Sequence, residues 1–263
     1  MDLQLKKKIA LVTGSTAGIG NAIATSLARE GAAVIVSGRK QESVDAAVAK
    51  LKAETGGEAW GFAGDLSLAS AAEELLRVHP TVDILVNNLG IFEVRAFADI
   101  ADADWQRFFD VNVLSGARLA RLYFPAMVAR NWGRVIFISS ESGYHIPAEM
   151  IHYGMTKAAQ IAVARGLAEL TAGTAVTVNT VLPGPTRSRG VGDFVAEMAA
   201  AAGKTASEVE REFFQTARPT SLLKRFASPE EVAALVTYVA SPVSSATNGA
   251  ALRVDGGSIK TAF

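Results

Sequence analysis

The chain has 263 residues, 49% of them hydrophobic and 20% charged, so it can build a substantial core. Lys plus Arg equals Asp plus Glu at 26 each, which gives no reason to invoke a nucleic acid or an anionic membrane surface as partner. Cysteine is absent, which excludes disulfides, thiolate catalysis and cysteine metal sites.

The chain opens MDLQLKKK and passes directly into an apolar run; no secretory core and no membrane-length apolar stretch is read, so a cytoplasmic location is expected. From there β-type runs alternate with helical ones. IALVTG (9–14) reads as a strand ending in glycine, and 18–29 as a helix with Ile19, Ile23 and Leu27 spaced by four. A strand at 32–38 and a helix at 41–54 follow, the helix closed by Gly56 and Gly57. Residues 57–65 give a third strand, Ser67 stands where an N-cap is expected, and 71–78 reads as the helix behind it. VDILVNN (82–88) has the near-continuous apolar character of a buried parallel strand.

The second half repeats this rhythm: one or two helices over 102–128, a strand at 133–140, a long helix at 152–171, a strand at 175–184, a helix at 229–240 with Pro229 in its first turn, and a last strand at 249–254. Strands separated by helices predict an α/β fold, a doubly wound, Rossmann-like parallel sheet with helices on both faces, within one domain spanning 1–263. Residues 187–228 are too long for a plain connection and follow a strand's carboxyl end; they are expected to form a helical lid, the alternative being a structural or oligomeric insert. Phe194, Met198, Phe213 and Phe214 either face an apolar substrate or form the lid's own core, and Arg187 and Arg189 either meet an acidic substrate or cap the lid.

The first strand runs into T13-G14-S15-T16-A17-G18-I19-G20. Glycines in a strand-to-helix turn let backbone approach a pyrophosphate, and the free N–H groups at the helix start face its charge. The turn lacks the GK[ST] of an ATP-binding P-loop. Asp65, after the third strand, could accept from an adenine amino group or serve only as a turn residue; Asn87, Asn88 and Gly90 follow the fourth strand at the same crevice. The end of the second strand carries no acid but S37-G38-R39-K40, and Arg39 offers a fork for a 2′-phosphate; NADP(H) is therefore expected over NAD(H), the rival being an Arg39 that stacks on adenine or faces solvent.

IHYGMTKAA (151–159) places Tyr153 and Lys157 four apart on one helix face. A neighbouring ammonium favours phenolate, which would let tyrosine act as acid in reduction and base in oxidation. Ser140 closes the preceding strand and could bond a substrate oxygen as charge develops on it. Asn112 is either a satisfied core amide or the holder of a water linking Lys157 to solvent.

Together these segments resemble the short-chain dehydrogenase/reductase family over essentially the whole chain, from TGSTAGIG through NNLG, Asn112, Ser140 and YGMTK to PGPTRS and RVDGG. The resemblance implies an NAD(P)(H)-dependent oxidoreductase that transfers hydride between nicotinamide and a carbonyl or secondary alcohol. It implies catalytic roles for Asn112, Ser140, Tyr153 and Lys157. It implies cofactor contacts from Gly14, Ser15, Thr16, Gly18, Ile19, Gly20, Arg39, Asp65, Leu66, Asn88, Gly90, Tyr153 and Lys157, and from Pro183, Gly184, Thr186 and Ser188 around the carboxamide. Substrate options are a 3-oxoacyl thioester or a sugar, steroid or other small alcohol; a dinucleotide-binding regulator without turnover is the reading of another class. A homotetramer, or a dimer, is also implied. Two positions depart from the pattern: Leu89 stands where alanine is usual in NNAG, and Ala17 where NADP-preferring members often carry a basic residue. Ser142, Tyr144, His145, Met150 and Pro185 are candidates for the substrate pocket, with Ile146 at the same address and a surface role as the alternative for His145. His79, His145 and His152 are not spaced as a metal-ligand set, and no metal is expected.

Overall fold

In a computed structural model, which describes residues 1–188, 191–192, 199–200 and 203–262, seven strands form one fully parallel sheet. The strands are β1 (Ile9–Val12), β2 (Ala33–Gly38), β3 (Ala59–Ala63), β4 (Ile84–Asn87), β5 (Gly133–Ile138), β6 (Val176–Pro183) and β7 (Ala251–Val254). Their order is β3-β2-β1-β4-β5-β6-β7. The direction of winding reverses between β1 and β4, so a crevice opens beyond the carboxyl ends of those strands.

The period-two alternation of the strands sorts the core into two layers. Ala10, Val12, Val34, Val36, Ile84, Val86, Ile136, Ile138 and Val181 face one side. There they meet Ile23 and Leu27 of α1 (Gly18–Arg29), Ala47 and Leu51 of α2 (Gln41–Thr55) and Val232, Val236 and Val239 of α8 (Pro229–Ala240). Leu11, Ile35, Leu85, Val135, Phe137 and Val178 face the other side. Their partners are Ala72 and Leu75 of α3 (Ala69–Val78), Leu119, Tyr123 and Met127 of α5 (Ser115–Ala129) and Ala164 and Ala168 of α6 (Ile151–Glu169). Each fully buried aliphatic side chain in these layers contributes roughly 1.5–3 kcal/mol. The helices are therefore clamped to the sheet, and loops at its carboxyl edge are held from beneath.

Local signals account for some element ends. α8 begins as Pro229 predicts, and its start is a reciprocal capping box: Ser228 Oγ accepts from Glu231 N–H at 3.2 Å and Glu231 accepts from Ser228 N–H at 2.8 Å. The predicted N-cap at Ser67 is not one. Leu68 takes the cap position of α3 without a side-chain bond, and Ser67 donates its hydroxyl to Asp65 Oδ1 at 2.6 Å instead. Asp65 Oδ1 accepts from both the N–H and the hydroxyl of Ser67, which holds that serine in the turn ahead of the helix.

The expected helical stretch over 102–128 is α4 (Asp102–Phe109) running through a π-type turn at Asp110–Leu114 into α5. The wide turn contains Asn112, whose amide leaves the helix to bond the backbone after β4. In the region 187–228, α7 (Ala206–Thr216) is capped by a Thr205–Glu208 capping box. Phe213, Phe214 and Phe226 pack on one another with ring centroids 5.1–5.2 Å apart, so these aromatics form the segment's own small core. Phe194, Met198 and Arg189 lie outside the described residues. Among the described residues, no helix is long and apolar enough to cross a membrane.

Candidate active site

The glycine-rich turn leaves β1 at the reversal point and enters α1. Gly14 and Gly18 sit at φ +61° and +57°, in the left-handed region where a side chain is strained. A Cβ on Gly20 would lie 2.5 Å from Gly14 O and 2.9 Å from Ser15 Cα, so helix and turn approach too closely for any other residue. Thr13 ties the turn to β4: its Oγ1 accepts from Asn88 N–H and Leu89 N–H, both at 2.9 Å, and Asn88 Nδ2 returns bonds to Thr13 O and Gly14 O. Ser15 is turned inward, donating to Val12 O and accepting from Ser37 N–H. The side chains of Ser15 and Asn88 thus brace the turn, and the turn's backbone is what faces the crevice. Leu66 and Leu89 both send their side chains into the core layer beneath α3 and α5. The bulk at Leu89 is absorbed there.

A second backbone segment crosses above the turn. Pro183, Gly184, Pro185 and Thr186 continue from β6, Thr186 Oγ1 donates to Gly184 O at 2.9 Å, and Ser188 Cβ lies 3.3 Å from the point a Cβ on Gly18 would occupy. The two segments meet at the carboxyl edge of the sheet, where Gly18 and Ser188 come into contact. Ile19 packs partly buried on the α1 side of the core, while Thr16 abuts Gly38. Arg39 is exposed and makes no ion pair with any described carboxylate. Asp65 Oδ1 accepts from the N–H and hydroxyl of Ser67.

Further along the same edge, β5 delivers Ser140 and α6 delivers Tyr153 and Lys157. Lys157 Nζ lies 5.6 Å from the Tyr153 ring centroid, and it approaches to 3.4 Å of the position a Cβ on Gly90 would take. The amine donates to Ile138 O at 3.0 Å and Gln160 Oε1 at 3.1 Å; burial pushes it down to about 7. Burial raises the Tyr153 phenol above its ordinary value, an effect opposed by the nearby Ser140 hydroxyl, increased by the Glu141 carboxylate and opposed again by Arg218. In the free site desolvation therefore outweighs the ammonium effect expected from the sequence, and the phenol keeps its proton.

Asn112 is fully buried and satisfied by protein. Its Oδ1 accepts from Ile91 N–H at 2.8 Å, and its Nδ2 donates to Ile91 O and Thr156 Oγ1. Its carbonyl oxygen accepts from Gln160 Nε2 at 2.6 Å, so Gln160 joins the π-type turn to the lysine. Sequence reasoning passed over Gln160; the available signal was a polar residue three positions after Lys157 on the same helix face. It also passed over Glu141, whose buried carboxylate accepts from the hydroxyls of Ser140 and Ser142. Ser142 is thereby committed inside the turn. Tyr144, His145 and Ile146 are exposed on the loop before α6, Met150 is half-buried at its N-cap, and Pro185 O accepts from Ala227 N–H. Among the described residues, no group of three His, Asp or Glu side chains could hold a metal ion.

The family profile described as short chain dehydrogenase matches residues 8–199. The chain belongs to the short-chain dehydrogenase family. It is 49% identical over 264 residues to the uncharacterized oxidoreductase YvaG of Bacillus subtilis, covering 100% of each chain. It is 33% identical to the 3-oxoacyl-[acyl-carrier-protein] reductase FabG of Aquifex aeolicus, covering 98% of this chain and 99% of that one. Among solved structures, L-sorbose reductase from Gluconobacter frateurii, crystallised with NADPH and L-sorbose, superposes with a TM-score of 0.93 at 30% identity, over 99% of this chain and 100% of the other. The protein is an oxidoreductase of this family, with the family's Rossmann-like sheet.

Proposed function

We propose that this protein reduces a small ketone, or oxidises the matching secondary alcohol, with NADP(H) as preferred cofactor over NAD(H), and that Tyr153 is its acid/base. The observation that carries this reading is the closeness of Tyr153, Lys157 and Gly90 beyond the carboxyl ends of β4 and β5, on the same sheet edge as the glycine turn after β1. The backbone of residues 13–20 and 183–188 would hold the dinucleotide. A bound nicotinamide dinucleotide supplies or accepts the hydride and, when oxidised, adds positive charge beside the phenol.

The raised phenol of Tyr153 keeps its proton near neutrality, which suits it to protonate a carbonyl oxygen during reduction. Lys157, depressed by burial, exchanges a proton readily near neutral pH. Gln160 and the carbonyl of Asn112 hold its amine in register with the cleft. Asn112 itself fixes Ile91 and Thr156, and so the relative placement of the loop after β4 and α6.

The preference for NADP(H) is supported by exposed Arg39, free of described carboxylate partners, at the end of β2. The same end carries no acid: Gly38 packs against Thr16, and a Cβ there would meet Thr16 Cγ2 at 2.6 Å. L-sorbose reductase and the 3-oxoacyl reductase both reduce ketones by name, so a sugar-like ketone and a 3-oxoacyl thioester come first among substrates to try. We also infer a homo-oligomer, supported by β7 as a half-exposed edge strand open to a neighbour.

The test is a hydride-transfer panel. NADPH and NADH are each offered with L-sorbose, a ketogluconate and an acetoacetyl thioester, and the oxidised cofactors with the matching alcohols. Turnover with NADPH is expected; no oxidation or reduction of either cofactor across the panel would overturn the proposal. Light scattering at micromolar protein tests the assembly, and a monomer would refute it.

A further inference from the structure

The turn after β5 contains an ion pair that the hydride and proton steps above do not call for. Glu141 is 5% exposed. Its Oε2 accepts from Ser140 Oγ at 2.6 Å and from Ser142 Oγ at 2.8 Å, and its Oε1 accepts from Arg218 Nε at 3.2 Å. The Arg218 side chain is 11% exposed and comes from the segment that follows α7, 77 residues along the chain. Its Nη1 donates to Glu149 Oε1 at 3.2 Å and to Ala217 O at 2.8 Å, and its guanidinium lies over the Phe213 ring. Arg218 is thus anchored in the small core of the 203–228 segment and reaches from it onto the catalytic turn.

This arrangement constrains Ser140. A serine hydroxyl has one proton to donate, and here that proton goes to Glu141. Ser140 Oγ is left to accept, and it does so from Ser142 N–H at 3.1 Å. A carboxylate at this depth is strongly disfavoured unless paired, and Arg218 supplies its cationic partner. The expectation that Ser140 simply donates to a substrate oxygen therefore omits the residue that claims its proton.

We propose that Glu141 and Arg218 are positioning residues: the pair fixes the direction of the Ser140 hydroxyl and couples it to the seating of the 203–228 segment on the cleft. With the segment seated, the Arg218 guanidinium offsets the Glu141 carboxylate beside Tyr153 and also pairs with Glu149. With the segment lifted, Arg218 withdraws and an unpaired carboxylate stands next to the phenol. The charged groups facing Tyr153 are Lys157 from α6, Glu141 from the turn after β5 and Arg218 from the segment after α7, with Phe92 packed edge-on from the loop after β4. The substrate-facing consequence rests on Tyr153 being the acid/base.

Two measurements test the proposal. The first needs no substrate: limited trypsin digestion of wild type and Glu141→Gln, which keeps every cleavage site of the segment (Lys204, Arg211, Lys224 and Arg225, Arg218 being protected by the following Pro219). Several-fold faster nicking there in Glu141→Gln is expected; wild-type kinetics would overturn the coupling. The second is the pH dependence of kcat/KM for oxidation of ethyl 3-hydroxybutyrate with NADP+, which rises as Tyr153 loses its proton. Arg218→Gln should move that rise up by about one pH unit, Glu141→Gln should move it down by a similar amount, and the double variant should return toward wild type. Arg218→Lys should restore the wild-type limb, and melting curves establish that each variant is folded. A limb that stays in place in folded variants, with only kcat reduced, would leave a structural role and refute positioning. Tyr153→Phe separates the two readings. If it is inactive while all limbs coincide, the coupling alone fails; if it stays fully active, the acid/base reading fails and takes this proposal with it.

Discussion

Replacing Lys157 by methionine keeps the side chain's length, removes its amine and isolates the cost of burying that group. Lys157 is 4% exposed, and burial alone holds its amine at about 7 against an ordinary 10.5. Below the lower value the folded and unfolded chains both carry the proton, and the full desolvation cost is present. Between the two values the unfolded chain binds the proton and the folded chain does not, so stability rises with pH; above the upper value neither binds it and the slope vanishes. Each pH unit within that window is worth about 1.4 kcal/mol, and allowing for half-protonation at the lower end the gain from about pH 7 to about pH 9 is about 2 kcal/mol. The methionine variant lacks this gain. Its lost bonds to Ile138 O and Gln160 Oε1 displace its stability by an amount that does not vary with pH. Urea unfolding of both proteins at fixed concentration, at intervals over that range, gives the difference directly. The wild type should gain about 2 kcal/mol on the variant. A difference flat with pH, or one that falls, would refute a depressed lysine.

Gly20→Ala forces a Cβ against Gly14 O and Ser15 Cα, backbone that cannot step aside without moving the turn. A loss of about 1–3 kcal/mol and weaker NADPH binding are expected, read by thermal unfolding and fluorescence titration, and unchanged binding would count against the turn as the cofactor cradle. Thr13→Val deprives Leu89 N–H of its acceptor, leaves Asn88 N–H only its 3.1 Å bond to Val86 O, and should cost about 1–3 kcal/mol in chemical denaturation. Arg39→Ala should raise KM for NADPH and leave KM for NADH alone; equal effects on both would argue against a phosphate contact.

Much of the fold was legible because the strands speak in short-range terms. The apolar runs at β1, β2 and β4, the Gly-rich exit of β1 and the Pro229 start of α8 each fix an element without reference to distant residues. The helical spacing of Tyr153 and Lys157 likewise brought the two side chains near one another. What stayed hidden depends on distant partners. Ser67 reads as a cap until Asp65 is seen to claim its hydroxyl. The π-type turn is invisible until Asn112 is found bonding Ile91 and Thr156. Glu141 and Arg218 are 77 positions apart, and only folding makes them a pair. The direction in which the Tyr153 phenol moves was also out of reach, since it depends on how far desolvation exceeds the pull of nearby charge, and depth is a property of the packed site.

The central claim is that Tyr153 moves the proton while a nicotinamide cofactor moves the hydride. Its most direct test is NADPH-dependent reduction of the best panel ketone by wild type and by Tyr153→Phe, with NADPH affinity and folding measured on the same preparations. The phenylalanine variant should bind NADPH as wild type does and lose about a hundred- to ten-thousand-fold in kcat/KM, the usual worth of a positioned acid. A folded, cofactor-binding Tyr153→Phe protein with wild-type turnover would contradict the account.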